Sequence, residues 1–332
     1  MRNFLSLWLC VAALSLLSGC GSKPAEVILY TSVDEPFATP IVREFEKQTG
    51  IHVILKTDVE ARKTAGLSEK LLAEKSNPQA DVWWSNEIFH SINLADQGVL
   101  AAYDSPSAAD IPAQFKDPQH RWAATAVRVR VLAVAENLPA GVRIESIEDL
   151  KNFALKDRIA MAAPSAGTTG GHVAALYTIW GEQKADAYFQ SLHDNGVHLL
   201  GGNSVVAEMV ASGQMLAGLT DNDDVSEAKE QGGNLSAIIP DQRPDQIGTL
   251  AMPTSVALVA GAKNPANARK LIDFLLSRQT EKRLIDAHFV LLSVRPDMNA
   301  AASPKFMQVD YPAVARMMPQ AIQRSTAILE GR

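Results

Sequence analysis

The sequence predicts an α/β protein of two lobes, with a ligand cleft between them and a hinge of crossing strands. Three observations carry this expectation. Short apolar runs alternate with amphipathic helical stretches, the pattern of a largely parallel sheet covered by helices. Two β-rich stretches, Trp122 to Glu136 and Thr249 to Val259, are long for one compact strand and suit a chain crossing between lobes. The length of 332 residues also exceeds what one hydrophobic core usually fills.

Composition narrows the function classes. With 47% hydrophobic and 20% charged residues the chain is globular, which excludes disorder and fibre. The 31 Lys and Arg against 37 Asp and Glu give a net charge of −6 with no basic cluster, so nucleic-acid binding is disfavoured. Arg2 and the apolar stretch Phe4 to Leu17 form an export leader too short to span a bilayer comfortably. The leader ends in Leu17-Ser18-Gly19-Cys20, which resembles the lipobox of bacterial lipoproteins. That resemblance implies a leader over 1–19, acylation of Cys20, and a tether over 20–25 that holds the protein at the periplasmic or cell-surface face of a membrane. Loss of Cys10 with the leader leaves Cys20 without a disulfide partner.

The elements follow in order. Val27 to Ser32 reads as a strand, and Pro36 to Thr49 as a helix with Phe37, Ile41, Val42 and Phe45 on one face, stopped by Gly50. Ile51 to Leu55 is the next strand, Thr64 to Lys75 a helix, Ala80 to Trp84 a third strand, and Ile88 to Gln97 a helix ending at Gly98. Loops at the carboxyl ends of strands form the ligand crevice of such a sheet, which singles out Ser32 and Asp34 after the first strand and Asn86 and Glu87 after the third. Beyond the first crossing come a strand at Ile159 to Ala162, helices at Gly170 to Trp180 and Ala185 to Gly196, and a strand at Val197 to Leu200. A helix at Val205 to Ser212, a strand at Ala217 to Thr220 and a helix at Ser226 to Gln231 complete that unit. After the second crossing Asn264-Pro265 opens a helix over Ala266 to Leu276. The expected lobes are 26–127 with 252–295, and 128–251 with 296–332, hinged near Arg128 and Pro253.

Two segments are chemically pointed. Gly167-Thr168-Thr169-Gly170-Gly171 precedes a helix, so free amides and the positive end of the helix dipole would face an anion or carboxylate there; the plain alternative is a glycine-rich helix start. Asp221-Asn222-Asp223-Asp224 follows the strand ending at Thr220, and its three carboxylates need a cation, an amine or water; the plain alternative is a solvated helix cap. It fails as a calcium loop, because its sixth position is Ser226 and its twelfth is Gly232. Arg128 and Arg130, two apart on one strand face, read as solvent-exposed charges at the hinge, with ligand contact the lesser reading. Lys63-Thr64 begins a helix and could offer a cation, His172 reads as a helix-surface residue, and Trp83 and Trp84 read as packing groups.

The order of these pieces resembles the type II periplasmic solute-binding proteins of ABC transporters, in particular the ferric-ion-binding branch. The resemblance rests on "VILYTSVDEPFATPIVREFEKQTGI" (27–51), "ADVWWSNE" (80–87), "AAPSAGTTGG" (162–171), "GGNSVVAEMVASGQMLAGLTDNDD" (201–224) and "TSVALVAGAKNPANARKLIDFLLS" (254–277). It implies the periplasmic-binding-protein type II fold, a monomer, an ABC permease in the inner membrane as partner, and no resident cofactor. It also implies iron(III) with a small anion as the transported ligand. Carried over by position, Asp34 and Asp223 would ligate the metal, Asn86 or Glu87 would stand where the family has a glutamate, and Ala166, Gly167, Thr168 and Asn203 would hold the anion. The departure is that the family's paired tyrosines fall at Asn222 and Asp223, and no tyrosine lies between Tyr188 and Tyr311. Asp, Asn, Ser and Thr suit an organic solute as well, so the alternative ligand is an organophosphate, an aminophosphonate or a sugar phosphate. The expected site is Ser32, Asp34, Asn86, Glu87, Gly167, Thr168, Thr169, Asn203, Thr220, Asp221 and Asp223.

An enzyme is the rival class. The sequence holds no Gly-x-Ser-x-Gly, no His-Glu-x-x-His and no phosphate loop, and Ser226-x-x-Lys229 has hydrolase spacing without the accompanying motifs. A solute-binding protein is the expectation.

Overall fold

The computed structural model describes residues 25–57, 64–299 and 303–332. Strand β1 (Glu26–Thr31) buries Val27 and Leu29 completely and pairs in parallel with β2 (His52–Thr57) and β3 (Val82–Ser85). Helix α1 (Glu35–Thr49) connects β1 to β2 and turns Ala38, Ile41, Val42 and Phe45 inward, the spacing of one helical face. It stops at Gly50, whose φ of 69° is a left-handed conformation open to glycine. Helix α2 (Ala65–Ala73) precedes β3, and α3 (Phe89–Asp96) and the short β4 (Leu100–Ala101) follow it.

Strand β5 (Ala123–Ala135) is thirteen residues long and buried throughout. It changes partner along its length. Up to Val129 it runs antiparallel to β10 (Ala251–Val259); from Arg130 it runs antiparallel to β8 (Ala217–Asp221). Its last residues also pair with β9 (Leu235–Ile238). The parallel strands β6 (Ile159–Ala162) and β7 (His198–Leu200) extend the sheet beyond β8, giving the order β2-β1-β3-β10-β5-β8-β6-β7. Thus β5 and β10 are the crossing strands, and Arg128 and Arg130 flank the residue at which β5 leaves one set of strands for the other.

Helices α4 (Thr169–Trp180), α5 (Glu182–Asp194), α6 (Asn203–Ala211) and α7 (Asn222–Glu230) accompany the second set of strands. Helices α8 (Pro265–Leu275) and α9 (Arg278–Asp286) follow β10, and α10 (Tyr311–Leu329) packs on α3, α4 and α5. The core includes Trp83, Trp84, Phe45, Phe89, Phe189 and Phe289, all fully buried; each side chain of this size contributes roughly 1.5–3 kcal/mol by leaving water.

The helix starts differ from the sequence expectation by one to four residues, and capping explains the largest difference. Helix α7 starts at Asn222 rather than Ser226, because Asp221 and Asp224 form a capping box that begins the helix among polar residues. Helix α6 starts at Asn203 rather than Val205, and α2 at Ala65 rather than Thr64, whose φ is 68°. Asn203 and Asp223 therefore stand in the first turns of helices and not in loops. Lys63, Cys20 and the leader lie outside the described residues.

Candidate functional site

The site begins with two charged side chains in a strand that is apolar apart from them and Thr125. Arg128 and Arg130 are 2% and 0% exposed, which corrects the expectation of solvated hinge charges. Both faces of β5 are covered, so neither guanidinium can reach water, and a buried charge persists only when paired. Arg130 stands directly across the ladder from Asp221 and its Nη1 donates to Asp221 Oδ1 at 2.6 Å. Arg128 donates through Nη2 to Asp221 Oδ2 at 3.0 Å and to both oxygens of Asp223 at 2.6 Å, and through Nε to Asp223 Oδ1 at 3.0 Å. Its Nη1 reaches the carbonyl of Asn86 at 3.3 Å, and its guanidinium lies 5.1 Å from the centre of the Phe289 ring. The cation that the acidic run requires is therefore supplied by the chain itself.

Around this pair the structure gathers most of the residues expected from the sequence. Thr168 Oγ1 donates to Asp221 Oδ2 at 2.6 Å and accepts from Arg130 Nη1 at 3.0 Å and Asn203 Nδ2 at 2.8 Å. Thr169 Oγ1 donates to Asn203 Oδ1 at 3.1 Å. Thr220 Oγ1 bonds to the Asn203 carbonyl and to Asp224 Oδ2, both at 2.8 Å. From the other set of strands, Ser32 Oγ and Thr64 Oγ1 both donate to Asn86 Oδ1, at 3.1 and 2.8 Å. Asp34, ahead of α1, lies near enough to act electrostatically on Arg128 and Asp223. Glu87 turns elsewhere: its carboxylate caps α3 at the amides of Phe89 and His90 and bonds His90 Nδ1 at 2.7 Å.

A small cavity lies among these groups. Its walls include Gly167 and Thr168 at the start of α4, Gly202 and Asn203 at the start of α6, and Asp221 and Asp224 at the start of α7. Arg128 and Asn86 close it. The N-cap residues Thr168 and Gly202 place no side-chain cap on α4 or α6, and the two positive helix ends face one space together with a guanidinium. Gly167 makes the turn into α4 at a φ of 52°. At about 10 Å³ the cavity has room for at most one water, so the cleft is closed as it stands.

The charges are unevenly held. Burial alone would raise the Asp221 carboxyl, but Arg130 and Arg128 outweigh it and hold Asp221 below the ordinary carboxylate range. Burial raises Asp223 to about 7; Arg128 opposes this, while Asp221 and Asp34 add to it. His172, expected on a helix surface, is instead 1% exposed, and burial followed by the charge of Arg130 lowers it to about 3, so it is neutral. Ser226 bonds back to the Asn222 carbonyl at 3.1 Å within α7. Trp83 and Trp84 pack as expected, Trp83 donating to Ser91 at 2.9 Å. Sequence reasoning missed the arginines although a signal was present: "AVRVRVLAVA" has small or apolar residues at both parities, the mark of a strand covered on both faces.

Residues 27–290 match the model of the bacterial extracellular solute-binding proteins, and the chain belongs to that family. It is 23% identical to the Fe(3+)-binding periplasmic protein of Serratia marcescens, over 89% of this chain and 87% of that one. Among solved structures, the ferric binding protein of Campylobacter jejuni superposes with a TM-score of 0.81 at 23% identity, covering 91% of this chain and 99% of the other. The periplasmic binding protein AfuA of Actinobacillus pleuropneumoniae, with fructose-6-phosphate bound, gives 0.80 at 23% identity, covering 93% and 99%. At these identities the superpositions establish the fold, the type II arrangement expected from the sequence. The function class is solute binding.

The raised Asp223 carboxyl has a measurable consequence. An unfolded aspartate ionises near its ordinary value of 3.8, whereas the folded protein keeps this proton to about 7. Between those values the unfolded state binds fewer protons, so wild-type stability falls as pH rises. Relative to Asp223→Asn, the wild type should lose up to about 1.4 kcal/mol per pH unit across that window. Urea unfolding of both proteins at pH 4, 5.5 and 7 measures the slope; a difference independent of pH would place the proton elsewhere.

Proposed function

We propose that this solute-binding protein captures an organic oxyanion, a phosphate monoester or a phosphonate, between two lobes and delivers it to an ABC permease of the inner membrane. One observation carries the choice: the starts of α4 and α6 and the guanidinium of Arg128 face one cavity. Helix starts and arginine supply the N–H donors that tetrahedral oxyanions need. Thr168 and Asn203, bonded to each other and to Asp221, line the same cavity. The acids of α7 do not argue against an anion, since Asp221 and Asp223 are paired with arginines and Asp224 is engaged with Thr220 and the Asp221 amide. Ser32, Asp34, Asn86 and Thr169 would complete the site from around the cleft.

Closure about β5 and β10 fits this reading. The proposed lobes are 26–127 with 252–295, and 128–251 with 296–332. Asn86 of the first lobe meets Arg128 at the hinge, and Gly171 of the second lies so close to Phe89 of the first that a Cβ there would fall 2.2 Å from the ring. A solute several times larger than the present cavity enters only after the lobes part, and it stabilises closure by its greater affinity for the closed form.

Iron(III) with a bound anion is the second reading, favoured by carboxylate oxygens of Asp221, Asp223 and Asp224 within 4.8 Å of one another. Hard anionic oxygens of this kind suit ferric iron. Asp34 and Asp223 would be its ligands, with the anion at Gly167, Thr168 and Asn203. A ferric ion there has to displace guanidinium groups from carboxylates they already contact.

Titration calorimetry of ligand-free protein separates the two. Fructose 6-phosphate or 2-aminoethylphosphonate should bind, and Arg128→Gln should weaken that binding at least about tenfold, or about 1.4 kcal/mol. Binding of ferric citrate alone, abolished by Asp223→Ala, would establish iron instead.

The lipobox at Cys20 completes the proposal: a diacyl anchor, with the binding lobes at the periplasmic or cell-surface face. Two or more acyl chains give stable attachment where one is marginal. Among the described residues no helix is long and apolar enough to cross a membrane. Wild type should partition into the detergent phase and Cys20→Ala into the aqueous phase; equal partitioning into water would remove the anchor.

A further inference from the structure

Arg130 does not line the cavity, yet it holds three of its walls. A single nitrogen, Nη1, donates to Thr168 Oγ1 before α4, to Asn203 Oδ1 at the start of α6, and to Asp221 Oδ1 at the cap of α7, at 3.0, 3.1 and 2.6 Å. Its other two nitrogens, Nε and Nη2, are buried without a partner, and so are both ring nitrogens of His172 in the first turns of α4. The guanidinium shares its one carboxylate, Asp221, with Arg128. His172 is neutral and adds no charge. Behind the wall that would receive an oxyanion there is thus a fully buried positive charge whose one ion-pair partner is shared with a second arginine.

The hydrogen-bond donors at this wall cannot by themselves distinguish two fully ionised tetrahedral oxyanions of the same shape. A phosphonate and a sulfonate present the same three oxygens, and they differ in charge when the phosphonate is fully ionised. Charge can distinguish them, because a buried cation acts over several ångströms in a medium of low dielectric constant. Resting on the oxyanion reading above, we propose that Arg130 is the specificity-determining residue of this site. Acting through Thr168 and Asn203, it positions the helix starts and sets a preference for dianionic phosphorus oxyanions over their monoanionic sulfur counterparts.

The test uses matched probes in mildly alkaline buffer, where the phosphorus ligands are dianions: 2-aminoethylphosphonate against 2-aminoethanesulfonate, and glucose 6-phosphate against glucose 6-sulfate. Affinities are measured for wild type, Arg130→Lys and Arg130→Met, each checked for folding by circular dichroism. Arg130→Met leaves Asp221 bonded to Arg128 and Thr168, and Arg130→Gln serves in its place if that variant does not fold. Wild type should prefer the phosphorus ligand at least about tenfold, Arg130→Lys should keep most of that preference despite weaker binding, and the neutral variant should reduce it to under about threefold. If the neutral variant weakens both ligands by the same factor, Arg130 is a structural brace only and the proposal is overturned. A wild type that binds both members of a pair equally also overturns it while leaving the oxyanion reading intact. A wild type that binds none of the four probes removes both.

Discussion

Two guanidinium groups are buried against two carboxylates at the point where one strand passes from one set of partners to another, and much of the site depends on how that charge is settled. Removing an ion from water costs several kcal/mol even after the protein relaxes, and only close geometry with further hydrogen bonds offsets it. Here the geometry is specific: Arg130 faces Asp221 across the ladder, and Arg128, two residues earlier on the same face, reaches both Asp221 and Asp223. A slip of one residue in the β5–β8 register would turn both arginines to the other face and leave the acids unpaired. The ion pairs therefore fix the register, and the register fixes where α4, α6 and α7 begin around the cavity.

The same arrangement bears on which solute fits. An acidic run after a strand invites a metal when read alone. With Arg128 and Arg130 in contact, Asp221 and Asp223 no longer present free negative charge, and the cavity beside them is also lined by the starts of two helices. Members of one fold can thus serve cation and anion chemistry according to what stands behind the carboxylates.

Much of the architecture was legible in the sequence, because hydrophobic period and punctuation are local. The i, i+3, i+4, i+7 face of α1, the stop at Gly50, and the long runs that became β5 and β10 are each written in a short window. The loop and helix-start residues Ser32, Asn86, Thr168, Asn203 and Asp221 were legible from their places after strands and before helices. The balance of charge was not, since it depends on a strand pairing that joins residues more than ninety positions apart: Arg128 and Arg130 meet acids 91 to 95 residues away. Glu87 shows the converse. Its place after β3 suggested a ligand, but the nearest unfilled need was the amides opening α3, and a local cap prevailed.

The central claim is that the chain's own arginines satisfy its acids and leave an oxyanion site. Native mass spectrometry of the protein, purified without refolding or chelators and paired with phosphorus and iron analysis of the same sample, tests it most directly. The account predicts an added mass matching an organic phosphate or phosphonate, about one phosphorus per protein, and no stoichiometric iron. Stoichiometric iron without a phosphorus-containing solute would contradict it.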